Sequence, residues 1–218
     1  MIHVDRSNPI LDFTNYVRKE HPQDWADFSV GHKDLYLKCR KALLEEQNGM
    51  SAYTEKPLNG NSGQLHIDHF RKKGMNEFRN LMFVWSNYIV DERNAKYGAV
   101  YKDKMVHTAE DYEMLIDPVA EADPSRFFAY MENGEMIPAS DLCGSDKEKA
   151  LYTINAFGLN DPSLQSMRSE ILTTIDNYCC GELNSTEITE ALDGFGFVTL
   201  IDYKTKSVFL RLFPMSYS

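Results

Sequence analysis

Residues 65–74 read L-H-I-D-H-F-R-K-K-G. Leu65–Phe70 is a short apolar stretch followed by a turn at Gly74, and it reads as a β-strand. Alternate side chains of a strand share a face, so His66 and Asp68 point one way and His69 the other. An Asp-His pair at a strand end combines two chemistries. The carboxylate is a hard oxygen ligand that suits Mg²⁺ or Mn²⁺. The imidazole, with an ordinary pKa near ~6.5, takes a proton from water at neutral pH. Phosphodiester hydrolysis uses a base to make the nucleophile and a cation to stabilise the charge that develops. Arg71, Lys72 and Lys73 follow at once and suit a phosphate backbone. Taken alone, H-x-D-H also suits a structural cluster of hydrogen bonds, and R-K-K a solvated face.

Outward from this stretch, Leu81–Val90 is a second apolar run, with Trp85, Asn87 and Tyr88, and reads as the partner strand. The polar segment D-E-R-N-A-K-Y-G-A-V-Y-K-D-K after it reads as a loop and a short helix. Upstream, Asn8-Pro9 opens a helix that His21-Pro22 closes, and a second helix spans about 33–47. Residues 51–64, with Pro57 and N-G-N-S-G, form a loop. Downstream, Thr108 and Asp111 cap a short helix that ends at Asp117-Pro118. Asn133-Gly134 between apolar runs predicts a hairpin. Helices are expected at about 146–157 and 162–180. F-V-T-L-I-D-Y-K-T-K-S-V-F-L-R-L-F reads as a second hairpin around Lys204–Ser207. The expected fold is α+β, mainly helical, with a β-hairpin carrying the site. A domain at 1–181 and a C-terminal extension at 182–218 packed on it complete this reading.

The chain has 218 residues, and 43% of them are apolar, enough for a real core without a membrane-length run. Nothing resembles a secretory leader, so a cytoplasmic protein with no membrane partner is expected. Cys39, Cys143, Cys179 and Cys180 form no C-x-x-C and read as reduced thiols. The net charge of −10 argues against a protein that coats nucleic acid by bulk attraction. From His66 to Lys104, however, eight Lys and Arg face five Asp and Glu, about +3. The pattern is a basic site on an acidic body.

The order of Asp68-His69, the Gly74 turn, Asn87 and a polar segment resembles the ββα-metal, or HNH, nuclease motif. Further blocks extend the likeness: G-M-S-A-Y-T-E, H-I-D-H-F-R-K-K-G, L-M-F-V-W-S-N-Y, Y-G-A-V-Y-K-D, L-I-D-P-V, E-N-G-E-M-I-P-A and T-I-N-A-F-G-L-N-D-P-S-L-Q-S-M-R. Together, over about residues 8 to 175, they resemble the PtuB family, HNH proteins of Septu and some retron anti-phage systems. The resemblance implies a ββα core at about 64–106. It makes His69 the general base, Asp68 a ligand of Mg²⁺ or Mn²⁺, and Asn87 the residue that orients the histidine. It leaves the second ligand open between Asp103 and Asn94, and gives His66 either a supporting or a ligating role. Arg71, Lys72, Lys73 and Lys102 become the nucleic-acid contacts. The family's C-A-Y-C is here Ser51-Ala52-Tyr53-Thr54, so no structural zinc is expected. Tyr53, Trp85, Tyr97 and Tyr101 are then expected to hold the region by packing, or else to stack bases. The implied function is a metal-dependent endonuclease on DNA or RNA, the effector of a complex with a PtuA-like ATPase onto which the acidic body docks. Two other readings compete with it: an inactive HNH-derived adaptor, and an unrelated α+β protein with a structural His-Asp cluster.

Overall fold

The computed structural model describes residues 1–59, 63–180 and 184–212, with side chains described through Cys179 and from Asn184 to Ser207. Residues 60–62 of the N-G-N-S-G run lie outside these. The fold is α+β, about half helical, with two small antiparallel sheets. Among the described residues, no helix is long and apolar enough to cross a membrane.

Strands β1 (Leu65–His69) and β2 (Tyr88–Glu92) pair antiparallel, with His66 opposite Asp91, Asp68 opposite Ile89 and His69 opposite Tyr88. Opposed residues share a face, so this hairpin has two unlike faces. Leu65, Ile67, Tyr88 and Val90 pack against Phe13 and Tyr16 of α1 (Leu11–Glu20) and Cys39 and Leu43 of α2 (Lys33–Glu46). Between these helices a π-helical turn, Asp27–Gly31, adds Phe28 to the same cluster. Helix α1 ends as expected before Pro22, with His21 in the left-handed region at φ 45°.

The other face carries His66, Asp68, Ile89 and Asp91, and packs beneath α3 (Gly98–Met105). Ile89 belongs to the larger core, with Tyr53, Phe70, Phe157, Leu164 and Ile175. That core is built by α5 (Gly144–Ala156), α6 (Pro162–Cys180) and the segments before them. Thr108 and Asp111 form the expected capping box on α4 (Ala109–Glu113). Strands β3 (Phe128–Tyr130) and β4 (Met136–Pro138) form the expected hairpin across Asn133-Gly134.

Asn8-Pro9 does not open α1, whose N-cap is Ile10 with no side-chain bond, and α4 ends at Glu113 rather than at Asp117-Pro118. Two larger expectations fail. The partner strand begins only at Tyr88, because Asn76–Leu81 and Trp85–Asn87 are 3-10 turns. A continuous apolar run has no period to tell strand from wrapped turn. Here side chains take the carbonyls that a ladder would have used. Asn87 Nδ2 donates to Leu81 O at 3.3 Å, and Tyr88 OH donates to Met82 O at 2.6 Å.

The C-terminal hairpin is instead helix. Ser185–Ala191 forms α7 and Val198–Leu212 forms α8. Leu200, Ile201, Lys204 and Thr205 are its buried stripe, at helical rather than alternating spacing. The start of α8 is fixed from far away, since Thr199 N and Oγ1 donate to the Glu55 carboxylate at 2.8 and 2.5 Å. Through Ile188, Leu192, Leu200 and Ile201 both helices join the core shared with Ile171 and Leu172.

Candidate active site

Strand β1 turns Asp68 toward α3, and Lys102 of that helix reaches down to meet it. The Lys102 Nζ donates to Asp68 Oδ2 at 2.8 Å and to the carbonyls of His69 and Phe70, each at 3.0 Å. Tyr53 OH donates to the same Asp68 oxygen at 2.7 Å. The Lys102 side chain is 0% exposed and that of Asp68 5%. Burial works to raise the Asp68 pKa, but the charge and hydrogen bond of Lys102 outweigh it and hold the carboxyl below its usual range. This places Lys102 inside the protein as a counterion, correcting the expectation that it meets substrate phosphates.

Asp103 is next along α3. Its Oδ1 is buried without a hydrogen bond and lies 3.5 Å from Lys102 Nζ. Burial raises its pKa, with Asp68 adding repulsion. Asn94 does not join this group. Its Oδ1 accepts from Lys96 N at 2.8 Å, within the turn between β2 and α3. His66 shares the Asp68 face, and its Nδ1 is 3.0 Å from Asp91 O. A ring nitrogen beside a carbonyl must carry the proton, so His66 keeps its lone pair on Nε2. Burial lowers its pKa despite the nearby Asp68 charge.

Asp91 is a further buried carboxyl on this face. Its Oδ2 accepts from Ala99 N at 2.8 Å, and Ser51 adds a hydroxyl. Burial pushes its pKa up to about 7. Gly98 makes this approach possible: at φ +73°, a Cβ there would lie 2.4 Å from Asp91 Oδ2.

His69 points the opposite way, into an aromatic nest. Its ring meets Trp25 edge-on at 4.3 Å and Tyr88 at 5.1 Å, and the residue is 3% exposed. Nε2 lies 3.0 Å from Met82 O and so donates, leaving the lone pair on Nδ1. Burial first, then the Lys73 charge, drop its pKa to about 4. Asn87 bonds the neighbouring loop. Its Oδ1 accepts from Arg71 N at 2.8 Å, and its Nδ2 donates to Arg71 O at 3.0 Å as well as to Leu81 O. Leu81 adjoins Met82, whose carbonyl holds His69. Asn87 therefore bears on the histidine through this loop, with no direct hydrogen bond among the described residues.

The basic run is partly spent on the fold. Arg71 pairs with Asp117 at 2.9 Å, Lys72 Nζ donates to Asp103 O at 3.1 Å, and Lys73 Nζ sits 5.8 Å over the Trp25 ring. All three side chains stay partly exposed. Where the resembled family has cysteines, Ser51 and Thr54 are buried, and Ser51 Oγ accepts from Thr54 N at 3.2 Å. Tyr53, Trp85 and Tyr97 are core residues, whereas Tyr101 is half-buried.

A divalent cation does not fit this arrangement. Among the described residues, no three His, Cys, Asp or Glu side chains converge on a point that would hold one. The Asp68 oxygen that would serve is bonded to Lys102 and Tyr53. Sequence reasoning missed Lys102 as a counterion, Asp91 and the Trp25 cover. Only Gly98, in a segment otherwise suited to helix, carried a local signal, of close backbone approach. No protein-family model and no curated protein matches the chain.

Proposed function

We propose that this chain is an HNH-type endonuclease subunit that hydrolyses phosphodiester bonds in DNA or RNA, in a closed state when alone. One observation supports the reading: a hairpin followed by a helix carries Asp68 and His69 on its first strand and Asn87 just before its second, the order that the sequence resemblance implies. His69 is neutral at pH 7, with a lone pair on Nδ1, the form a general base requires. A pKa of about 4 makes it a weak base while Trp25 covers it. Exposure to water would return it toward its ordinary value and strengthen it. Arg71, Lys72 and Lys73 lie on the loop beside it and would take the substrate phosphates. Mg²⁺ or Mn²⁺, which the resemblance implies, does not fit this arrangement while Lys102 holds Asp68. In this reading the protein is cytoplasmic. A PtuA-like ATPase docks on the acidic body, supplies most of the nucleic-acid affinity and opens the site.

The buried Lys102–Asp68 pair favours one other reading, an HNH-derived adaptor without catalysis. The two separate in an assay on plasmid DNA and total tRNA, with Mg²⁺ or Mn²⁺, for wild type and His69→Ala, with and without a PtuA-like ATPase. The nuclease reading expects cleavage in the complex that His69→Ala abolishes. An assembled complex that binds nucleic acid and never cuts it would establish the adaptor.

A further inference from the structure

We infer that Lys102 is the resident cation of the Asp68 centre: its ammonium stands where a divalent ion would sit, and the isolated chain takes no Mg²⁺ or Mn²⁺ there. The inference deepens the nuclease reading, on which it rests for the identity of the centre. Four oxygens surround the Lys102 Nζ: Asp68 Oδ2 at 2.8 Å, the carbonyls of His69 and Phe70 at 3.0 Å, and Asp103 Oδ1 at 3.5 Å. Two carboxylates and two carbonyls are hard donors of the kind that hold Mg²⁺ or Mn²⁺. Their spacing is that of an ammonium, since Mg²⁺ demands oxygens at roughly 2.0–2.1 Å. The cage is also well supported. The Tyr53 and Phe70 rings lie 6.0 and 5.8 Å from the same nitrogen, and Tyr53 OH holds Asp68 in place.

A cation on a side chain differs from an ion in solution. It is delivered by folding, does not dissociate, and keeps Asp68 from recruiting a metal. Loading the centre requires the Lys102 side chain to leave its three acceptors. Displacing a buried, hydrogen-bonded ion pair is costly enough to weaken a competing metal by on the order of 100-fold or more. Once the ammonium is gone, the carboxylates of Asp68 and Asp103 and the carbonyls of His69 and Phe70 are the donors at hand.

Mn²⁺ binding, read by electron paramagnetic resonance and by the Mn²⁺-induced shift in Tm, tests this without reference to cleavage. Wild type should show no stoichiometric Mn²⁺ site and no Tm shift. Lys102→Met should bind one Mn²⁺, on the order of 100-fold or more tighter than wild type, and gain Tm with it. Asp68→Asn in the Lys102→Met background should remove both effects. That double variant removes both members of the buried Lys102–Asp68 pair, so it reports folding if Lys102→Met alone is unstable. One Mn²⁺ bound by wild type and lost in Asp68→Asn overturns the inference. So does a folded Lys102→Met that ignores Mn²⁺. Cleavage that never appears in any complex would end the nuclease reading while leaving this result standing.

Discussion

The two faces of one five-residue strand solve opposite problems. Toward α1 and α2, His69 enters an aromatic nest, and burial keeps its ring neutral. Toward α3, Asp68 enters an equally dry place but stays charged, because Lys102 comes with it. Asp91, on the same face, has only neutral donors on its carboxylate and its pKa climbs to about 7. Burial alone therefore does not decide the charge of these groups. A carboxyl with an ammonium keeps its charge, while a carboxyl with amides and hydroxyls, or an imidazole with a carbonyl, tends to give it up. Under the proposed nuclease reading, a centre divided in this way is silent on both sides until something exposes His69 and moves Lys102.

The comparison breaks most visibly at the ion pair. Asp68→Leu strands the Lys102 ammonium in the core and should cost about 3–5 kcal/mol of unfolding free energy in urea denaturation. Asp68→Leu with Lys102→Met should recover most of that loss. If the double variant is no better than the single, the pair does not set the charge on this face.

The pH dependence of stability sharpens the contrast. His69 has a folded pKa of about 4, below its unfolded value, so its stabilisation is present above ~6.5 and lost as pH falls toward 4. Asp91 has a folded pKa of about 7, above its unfolded value, so its contribution is full below ~3.9 and is lost as pH rises to 7. Each arm is on the order of 3 kcal/mol, and between pH 4 and 6.5 the two oppose each other. Urea midpoints across that window should then fall more steeply toward acid in Asp91→Asn than in wild type. In His69→Phe they should rise toward acid. Equal slopes in all three proteins would contradict the assignment.

Gly98→Ala tests how closely α3 approaches Asp91. A side chain at φ +73° that meets a carboxylate oxygen should cost about 1–3 kcal/mol in the same denaturation experiment. The smallest effect belongs to the loop. The partly exposed Arg71–Asp117 pair should be worth less than about 1 kcal/mol. Arg71→Ala should therefore leave the urea midpoint nearly unchanged and, under the proposed function, weaken nucleic-acid binding measured by salt-dependent gel shift. A large stability loss would make Arg71 a structural residue instead.

Much of the fold was legible where local chemistry spoke. His21-Pro22, the Thr108–Asp111 box and Asn133-Gly134 each contain their own stop, cap or turn, and the structure follows them. Strand alternation likewise separated Asp68 from His69. The failures came where the determinant was distant. Residues 81–87 wrap into turns because Asn87 and Tyr88 claim their carbonyls. Helix α8 starts where Glu55, more than a hundred residues earlier, accepts from the N–H and the hydroxyl of Thr199. Lys102 sits between Tyr101 and Asp103 in a polar stretch that reads as surface. Only the third dimension brings it over Asp68. A buried lysine has no sequence signature beyond the carboxylate it will meet, and that carboxylate lies on another element.

The most direct test of the closed centre is the imidazole titration of His69, followed by NMR in wild type and Trp25→Ala. The account predicts an apparent pKa of about 4 in wild type, moving toward ~6.5 when Trp25 no longer covers the ring. A wild-type value already near ~6.5, unchanged in Trp25→Ala, would contradict it, because His69 would then be an open, solvated base.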